Sequence, residues 1–235
     1  MSIALILGAG GRVGKAVASK LASNGFHVAL GSRSESVSIE SKSMTSIKVD
    51  VSKPAQVSAA FQEVERTFGA PANVVIYNGE VAAFSSLPNK GEPFSLPYEQ
   101  FTSDFTAGAL GAYSTLQHTV EAFKRVEDDK PKVFIATSNF LGTSQKPSIA
   151  YFGVGSQKRA LAYYVQGANE AYGASRGFRF YLAAQVDALG RAPSESEFSG
   201  EAHAIAYWTL IQKPREAGGA WDVRFNKEGS ILVKN

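Results

Sequence analysis

The residues with the clearest chemistry stand near the start of the chain, in Gly8-Ala9-Gly10-Gly11-Arg12-Val13-Gly14. Glycines at this density, just before a helical pattern, make an anion site. The first N–H groups of a helix lack partners within it and carry partial positive charge. A pyrophosphate reaches them only where no Cβ stands in the way. Gly8 permits the turn, Gly10 and Gly11 permit approach, and Gly14 permits close packing of helix on strand. With Arg12 and Val13 these are the expected cofactor-binding positions of the turn. A second group, Ser32-Arg33-Ser34, follows the next apolar run. Dinucleotide folds that select NAD carry an acidic residue here, on the ribose 2′-OH. A guanidinium flanked by hydroxyls suits a 2′-phosphate instead. The expected cofactor is therefore NADP rather than NAD, with Ser32 and Arg33 in contact with it.

Elements must hold these groups in place. The apolar run Ile3–Leu7 ends at the glycines and reads as a strand buried on both faces. Val13, Val17 and Leu21 then lie on one helical stripe. Further strands are expected at His27–Gly31, Ser46–Val49, Ala72–Tyr77, Lys130–Thr137 and Phe178–Ala184. Helices are expected at Ala55–Phe68, as one long element at Tyr98–Arg125, and at Ser148–Tyr172. Buried strands alternating with helices predict an α/β fold: a doubly wound, Rossmann-like parallel sheet of about seven strands in three layers. No linker or composition break divides the chain, so residues 1–235 are expected to form one domain.

Composition narrows the function classes. Apolar residues make up 44% of the 235 positions and charged residues 19%, as in ordinary globular proteins. With no cysteine, thiol catalysis, thiolate metal sites and disulfides are excluded. The three histidines lie far apart, so no metal site is expected. The net charge of +3 is spread thinly, which argues against a nucleic-acid partner. No run is long and apolar enough to span a membrane, and no leader pattern is present; a cytoplasmic location is expected.

The spacing Gly8-x-x-Gly11-x-x-Gly14 resembles the glycine pattern of the extended and atypical branches of the short-chain dehydrogenase/reductase family. The tail Ala206–Arg215 and Ala220–Arg224 resembles the C-terminal end of its fungal and bacterial members. The resemblance covers nearly the whole chain and implies several roles. Asp50 and Val51 would bracket the adenine ring, although Asp50 also reads as the cap of the next helix. Asn78 and Gly79 hold the centre of the family's Asn-Asn-Ala-Gly motif, with Glu80 where a small residue is usual. Residues Val81–Pro97 would form a wall of the substrate cleft. Ser138 stands where the family's substrate-orienting serine belongs. Family members then carry a proton-passing tyrosine, with a lysine four residues later to lower its pKa.

That second half departs from the pattern. Tyr151 follows Ser138 at a typical spacing, but Gly155 stands where the lysine should be. Lys158, in Ser156-Gln157-Lys158-Arg159-Ala160-Leu161, fits the distance to the next strand and is taken as the lysine equivalent. Val154 then replaces the tyrosine. On a continuous helix Tyr151 lies about 10.5 Å from Lys158 along the axis. It serves as a proton donor only if the helix starts after it and the loop folds back; otherwise it is a packed aromatic at a helix start. Gly108 replaces the asparagine that helps anchor the family's lysine, and Gln185-Val186 replaces a Pro-Gly pair beside the nicotinamide. The candidate catalytic residues are Ser138, Tyr151 and Lys158, with Lys158 also on the cofactor. The implied function is an NADP(H)-dependent reductase of a small carbonyl or imine. A non-redox family member that keeps the cofactor as scaffold, and a cofactor-binding pseudoenzyme, are the alternatives. A homodimer or homotetramer is implied, through Tyr98–Arg125 and Ser148–Tyr172 with Tyr163, Tyr164 and Val165 exposed.

Overall fold

The computed structural model describes residues 1–34, 43–78, 85–214 and 220–232. One sheet organises all of it. Its strands are β1 (Ser2–Leu7), β2 (Phe26–Ser32), β3 (Met44–Lys48), β4 (Val74–Tyr77), β5 (Val133–Thr137), β6 (Arg179–Gln185), β7 (Asp222–Phe225) and β8 (Ile231–Leu232). The order is β3-β2-β1-β4-β5-β6-β7-β8. Every pairing is parallel except β7 with the two-residue β8, which is antiparallel. The expected strands are present, with ends shifted by a residue or more, and the short β8 adds an eighth.

The helices are α1 (Val13–Ser23), α2 (Pro54–Phe68), α3 (Tyr98–Phe105), α4 (Gly111–Arg125), α5 (Phe152–Arg176) and α6 (Gly200–Gln212). They cover both faces of the sheet. Alternate residues of each strand point to opposite faces. Ile3, Leu5 and Leu7 therefore join one core with Phe61 of α2, Phe123 of α4 and Leu161 of α5. Ala4 and Ile6 join the other, with Val17 and Leu21 of α1 and Tyr207 and Leu210 of α6. Ile3 to Leu7 are completely buried. Such burial stabilises the fold by roughly 1.5–3 kcal/mol per large apolar side chain.

Three local expectations are corrected. Tyr98–Arg125 is not one uniform helix: a π-helical turn, Thr106–Leu110, separates α3 from α4. Glycine is what fits there. A Cβ on Gly111 would stand 2.6 Å from the Val51 carbonyl oxygen, and one on Gly108 would overlap the Gln157 side chain. Asp50 does not cap α2; Lys53 holds the N-cap position, and the Asp50 carboxylate instead accepts from the Ser52 amide and hydroxyl. Val165 is not exposed but fully buried, because it shares the sheet-facing stripe of α5 with Leu161 and Ala162. Tyr163, off that stripe, is 76% exposed, and Tyr164 is half-buried against the core.

Candidate active site at the carboxyl edge of the sheet

The strand order reverses between β1 and β4, and ligands of open α/β sheets bind outside the carboxyl ends of the strands at such a point. The sequence places its chemistry there. The glycine turn follows β1, Asn78 follows β4, and Ser138 follows β5.

Gly8 has φ of +79°, a conformation closed to most residues with a side chain. Its amide and that of Ala9 both donate to the Gly31 carbonyl, which turns the chain away from the sheet. Gly10 and Gly11 are exposed, and a Cβ on Gly11 would meet nothing within 4 Å. Their missing side chains leave open surface rather than relieve a clash. Gly14 is the opposite case: a Cβ there would stand 2.6 Å from Ala9 Cα. Arg12 is the N-cap residue of α1, and among the described residues no side chain caps the helix. Its guanidinium lies over the Phe198 ring, 5.5 Å from the centroid. Val13 faces the core, so only its backbone can meet a ligand.

Asn78 ties the two halves of this edge together. Its backbone amide donates to the Leu7 carbonyl at 2.7 Å, and its side-chain amide to the Gly8 carbonyl at 2.9 Å. Its Oδ1 is buried with no hydrogen-bond partner among the described residues. An orphaned buried acceptor costs free energy unless a bound group supplies a donor. Gly79 and Glu80 lie outside the described residues, as do positions 81–84 of the expected cleft wall. In the part of that wall described, Phe94 meets the Phe152 ring edge-on at 5.4 Å, and Leu96 lies against Gly153. The segment therefore leans on the start of α5.

Ser32 is half-buried, its hydroxyl donating to the Ser34 carbonyl, and Arg33 is exposed just beyond β2. Burial raises the Asp50 pKa, but the Ser52 hydrogen bonds and the nearby Lys53 and Arg33 charges outweigh it and hold the carboxylate below its usual range. Val51 is buried, and its carbonyl lies under the start of α4.

Lys158 is buried on α5, and its Nζ donates to the Thr137 carbonyl at 3.3 Å. Burial pushes its pKa down to about 7. Ser138, the next residue after Thr137, is also buried. The 3-10 turn Phe140–Gly142 fits between these residues. A Cβ on Gly142 would stand 3.1 Å from the Lys158 carbonyl oxygen and 3.2 Å from Ser138 Oγ. Ser138 and Lys158 are thus brought to one place. Tyr151 ends a separate 3-10 turn, Ile149–Tyr151, and α5 begins at Phe152. The helix does start after Tyr151, which is 48% exposed.

Other residues emerge only from the structure. Gln185 donates from Nε2 to the Glu197 carbonyl at 2.6 Å and accepts from the Ser199 amide at 3.0 Å. It closes the 186–199 segment at its base, a task no spacing announces. Asp187 accepts from the Leu189 and Arg191 amides and from the Arg191 guanidinium. These bonds, led by the Arg191 amide, hold its pKa below the usual range. Among the described residues no helix is long and apolar enough to cross a membrane, and no group of three or more histidine, aspartate or glutamate side chains is placed to hold a metal.

A Rossmann-like sheet with a glycine turn at its switch point, and a serine and a buried lysine beside it, defines the class: a dinucleotide-fold protein of oxidoreductase type. Residues 2–176 match the short chain dehydrogenase family, and the chain belongs to it. The short chain dehydrogenase/reductase dmxR12 of Cryptosporiopsis sp. (strain 8999) is 29% identical over 233 residues, 96% of this chain and 92% of that one. A metagenomic short-chain oxidoreductase solved in complex with NADP superposes with a TM-score of 0.76 at 17% identity, covering 96% of each chain. The 3-oxoacyl-[acyl-carrier protein] reductase of Brucella melitensis, solved in complex with NAD, gives 0.77 at 16% identity, covering 97% of this chain and 96% of that one.

Proposed function

We propose that this protein is an NADPH-dependent reductase of a small carbonyl or imine, working with an altered proton relay. The observation that carries this reading is Lys158, buried beside Ser138 at the edge that holds the glycine turn. The residues present fit the cofactor. Gly10 and Gly11 leave the approach to the α1 N-terminus open, and the orphaned Asn78 Oδ1 suits a ribose or amide donor. Gly8, Gly10, Gly11, Arg12, Gly14 and the Val13 amide would hold the pyrophosphate. Ser32 and Arg33 would hold the 2′-phosphate, Asp50 and Val51 the adenine, and Asn78, Gly79 and Lys158 the nicotinamide ribose. When bound, NADPH supplies a hydride. The NADP complex of the metagenomic oxidoreductase supports this choice over NAD.

The chain's own residues manage the proton. Ser138 Oγ orients the oxygen or nitrogen that is to be protonated. Lys158 supplies the proton from Nζ, directly or through a water it holds. With a pKa of about 7 it is divided between its charged and neutral forms at neutral pH and gives up its proton readily, which suits a general acid. Asp187 is a poor donor, since its bonds favour the carboxylate form. The assay is loss of NADPH absorbance against aldehydes, ketones, quinones and imines. Turnover of any of them supports the reading. Tight NADPH binding with no turnover on the whole panel would replace it with the scaffold or pseudoenzyme alternative.

We also infer that the chain pairs with a copy of itself across α4 and α5. Tyr113 and Tyr163 are exposed there, and Tyr113 meets Tyr164 edge-on at 5.6 Å beside a groove lined by Leu116, Val120 and Tyr172. Such an apolar, aromatic face suits an interface. Light scattering that finds a monomer at micromolar concentration overturns it.

A further inference from the structure

The residue before Lys158 has no task in the reading above, yet it is among the most buried polar side chains of the site. Gln157 is 2% exposed. Its side chain lies across Gly108. A Cβ on Gly108 would stand 1.9 Å from Gln157 Oε1 and 2.8 Å from its Cδ. The amide therefore occupies the space that any side chain at position 108 would need. Gly108 sits within the π-helical turn, where one extra residue per turn breaks the regular hydrogen-bond ladder. From the sheet side, the Tyr77 hydroxyl donates to the Ala107 carbonyl of the same turn at 2.8 Å. The turn is thus braced by Tyr77 on one side and by Gln157 on the other.

An apolar side chain of similar size would fill this space without the cost of burying an amide. A primary amide at this depth is expected to be held in one orientation by its polar neighbours. Gln157 and Lys158 share a peptide bond, so whatever fixes one fixes the start of the other. We propose that Gln157 is a positioning residue for Lys158. Its amide crosses from α5 to brace the π-helical turn, and the glycine at 108 exists to admit it. The polar group between the two elements has moved from one to the other. This inference rests on the reductase reading, and its test is built so that the two fail separately.

The proteins compared are the parent, Gln157→Met, Lys158→Met, the pair of these, Gly108→Asn, and Gly108→Asn with Gln157→Ala. Gln157→Met keeps the volume and removes the amide. It is expected to lower kcat between about tenfold and a hundredfold, the cost of a misplaced group, and to weaken NADPH binding. Its Tm should stay close to the parent's. Combined with Lys158→Met it should add almost nothing, because both changes act through one amine. Gly108→Asn alone should be impaired for lack of space, whereas Gly108→Asn with Gln157→Ala should recover most of the loss by restoring an amide from the other side. Full kcat in Gln157→Met, or losses that multiply with those of Lys158→Met, overturns the proposal. So does a Gly108→Asn, Gln157→Ala protein no better than Gln157→Met. If the parent oxidises no NADPH, the reductase reading falls by itself. The same cycle is then read in the dissociation constant of NADPH by fluorescence, where additive losses still overturn the role of Gln157.

Discussion

The glycine turn and the proposed proton site lie along one edge of the same sheet, but the chain specifies them differently. In the turn, function is carried by the backbone. Gly8 adopts a positive φ, Gly14 lets helix meet strand, and Gly10 and Gly11 leave the surface bare. Each task requires the absence of a side chain, and only glycine meets that requirement. At the proton site, function is carried by side chains, and a side chain can reach one place from several positions. Position 108 is a glycine, the Gln157 side chain reaches across it from another helix, and Val154 stands where the family resemblance implies a tyrosine. A backbone-built site tolerates little change, whereas a side-chain-built site can be rewired.

Breaking the proton site should give the largest effect. Lys158→Met removes the proposed proton donor and should cut turnover by about 10²–10⁴, read as NADPH oxidation. The same change should raise Tm at pH 6, since it removes a charge buried against its preference. The sign follows from linkage. The folded pKa is lowered to about 7, while the unfolded value is about 10.4. The penalty is complete below pH 7, shrinks from there upward, and vanishes above about pH 10.4. The Tm gain of Lys158→Met should do the same; a gain that grows with pH would contradict a buried, reluctant ammonium.

The cofactor side should respond in binding rather than in chemistry. Arg33→Ala should weaken NADPH by about 1.5–3 kcal/mol, typical of a hydrogen bond to a charged group, and leave NADH unchanged. Fluorescence titration with both cofactors checks this. Equal losses for the two would remove Arg33 from the 2′-phosphate.

The same contrast explains what could be read in advance. The strand Ile3–Leu7, the turn after it and the doubly wound sheet were legible because apolar runs and glycine spacing act locally. That Lys158 lies on the helix packed beside the end of β5 was legible from its distance to the next strand. The π-helical turn was not, since Gly108 and Gly111 look like any small residues until Gln157 and the Val51 carbonyl are packed against them. Val165 was misplaced because a run of Tyr-Tyr-Val does not say which stripe faces the sheet. Gln185 looked like the loss of a proline; its bonds to residues 197 and 199 depend on a segment that returns from beyond it.

Gly14→Ala tests the packing of the backbone-built site, read as stability rather than as binding. The new Cβ would stand 2.6 Å from Ala9 Cα, so strand or helix must move. Overpacking of this kind costs about 1–3 kcal/mol, read by denaturant unfolding. Gly11→Ala, where nothing lies within 4 Å, should cost well under that in stability while still obstructing the pyrophosphate. Equal destabilisation by the two would mean that the glycines share one structural task.

The smallest effect is expected at Tyr151, and it sharpens the comparison most. Tyr151 has the residue type and the spacing from Ser138 that the family's proton donor has. It is nevertheless 48% exposed, at the end of a 3-10 turn that precedes α5. Lys158 lies two helical turns further on, with its Nζ bonded to the Thr137 carbonyl. A tyrosine gives up its proton readily only when a cation close by lowers its pKa from about 10. Here the Lys158 ammonium is buried with its Nζ on the Thr137 carbonyl, and Tyr151 lies outside the helix that carries it. Tyr151→Phe should therefore keep turnover close to the parent's, with the pH profile of kcat still set by the group near 7. A fall of about 10² or more, the usual cost of a lost general acid, would return the proton to Tyr151. Lys158 would then be left with the ribose alone.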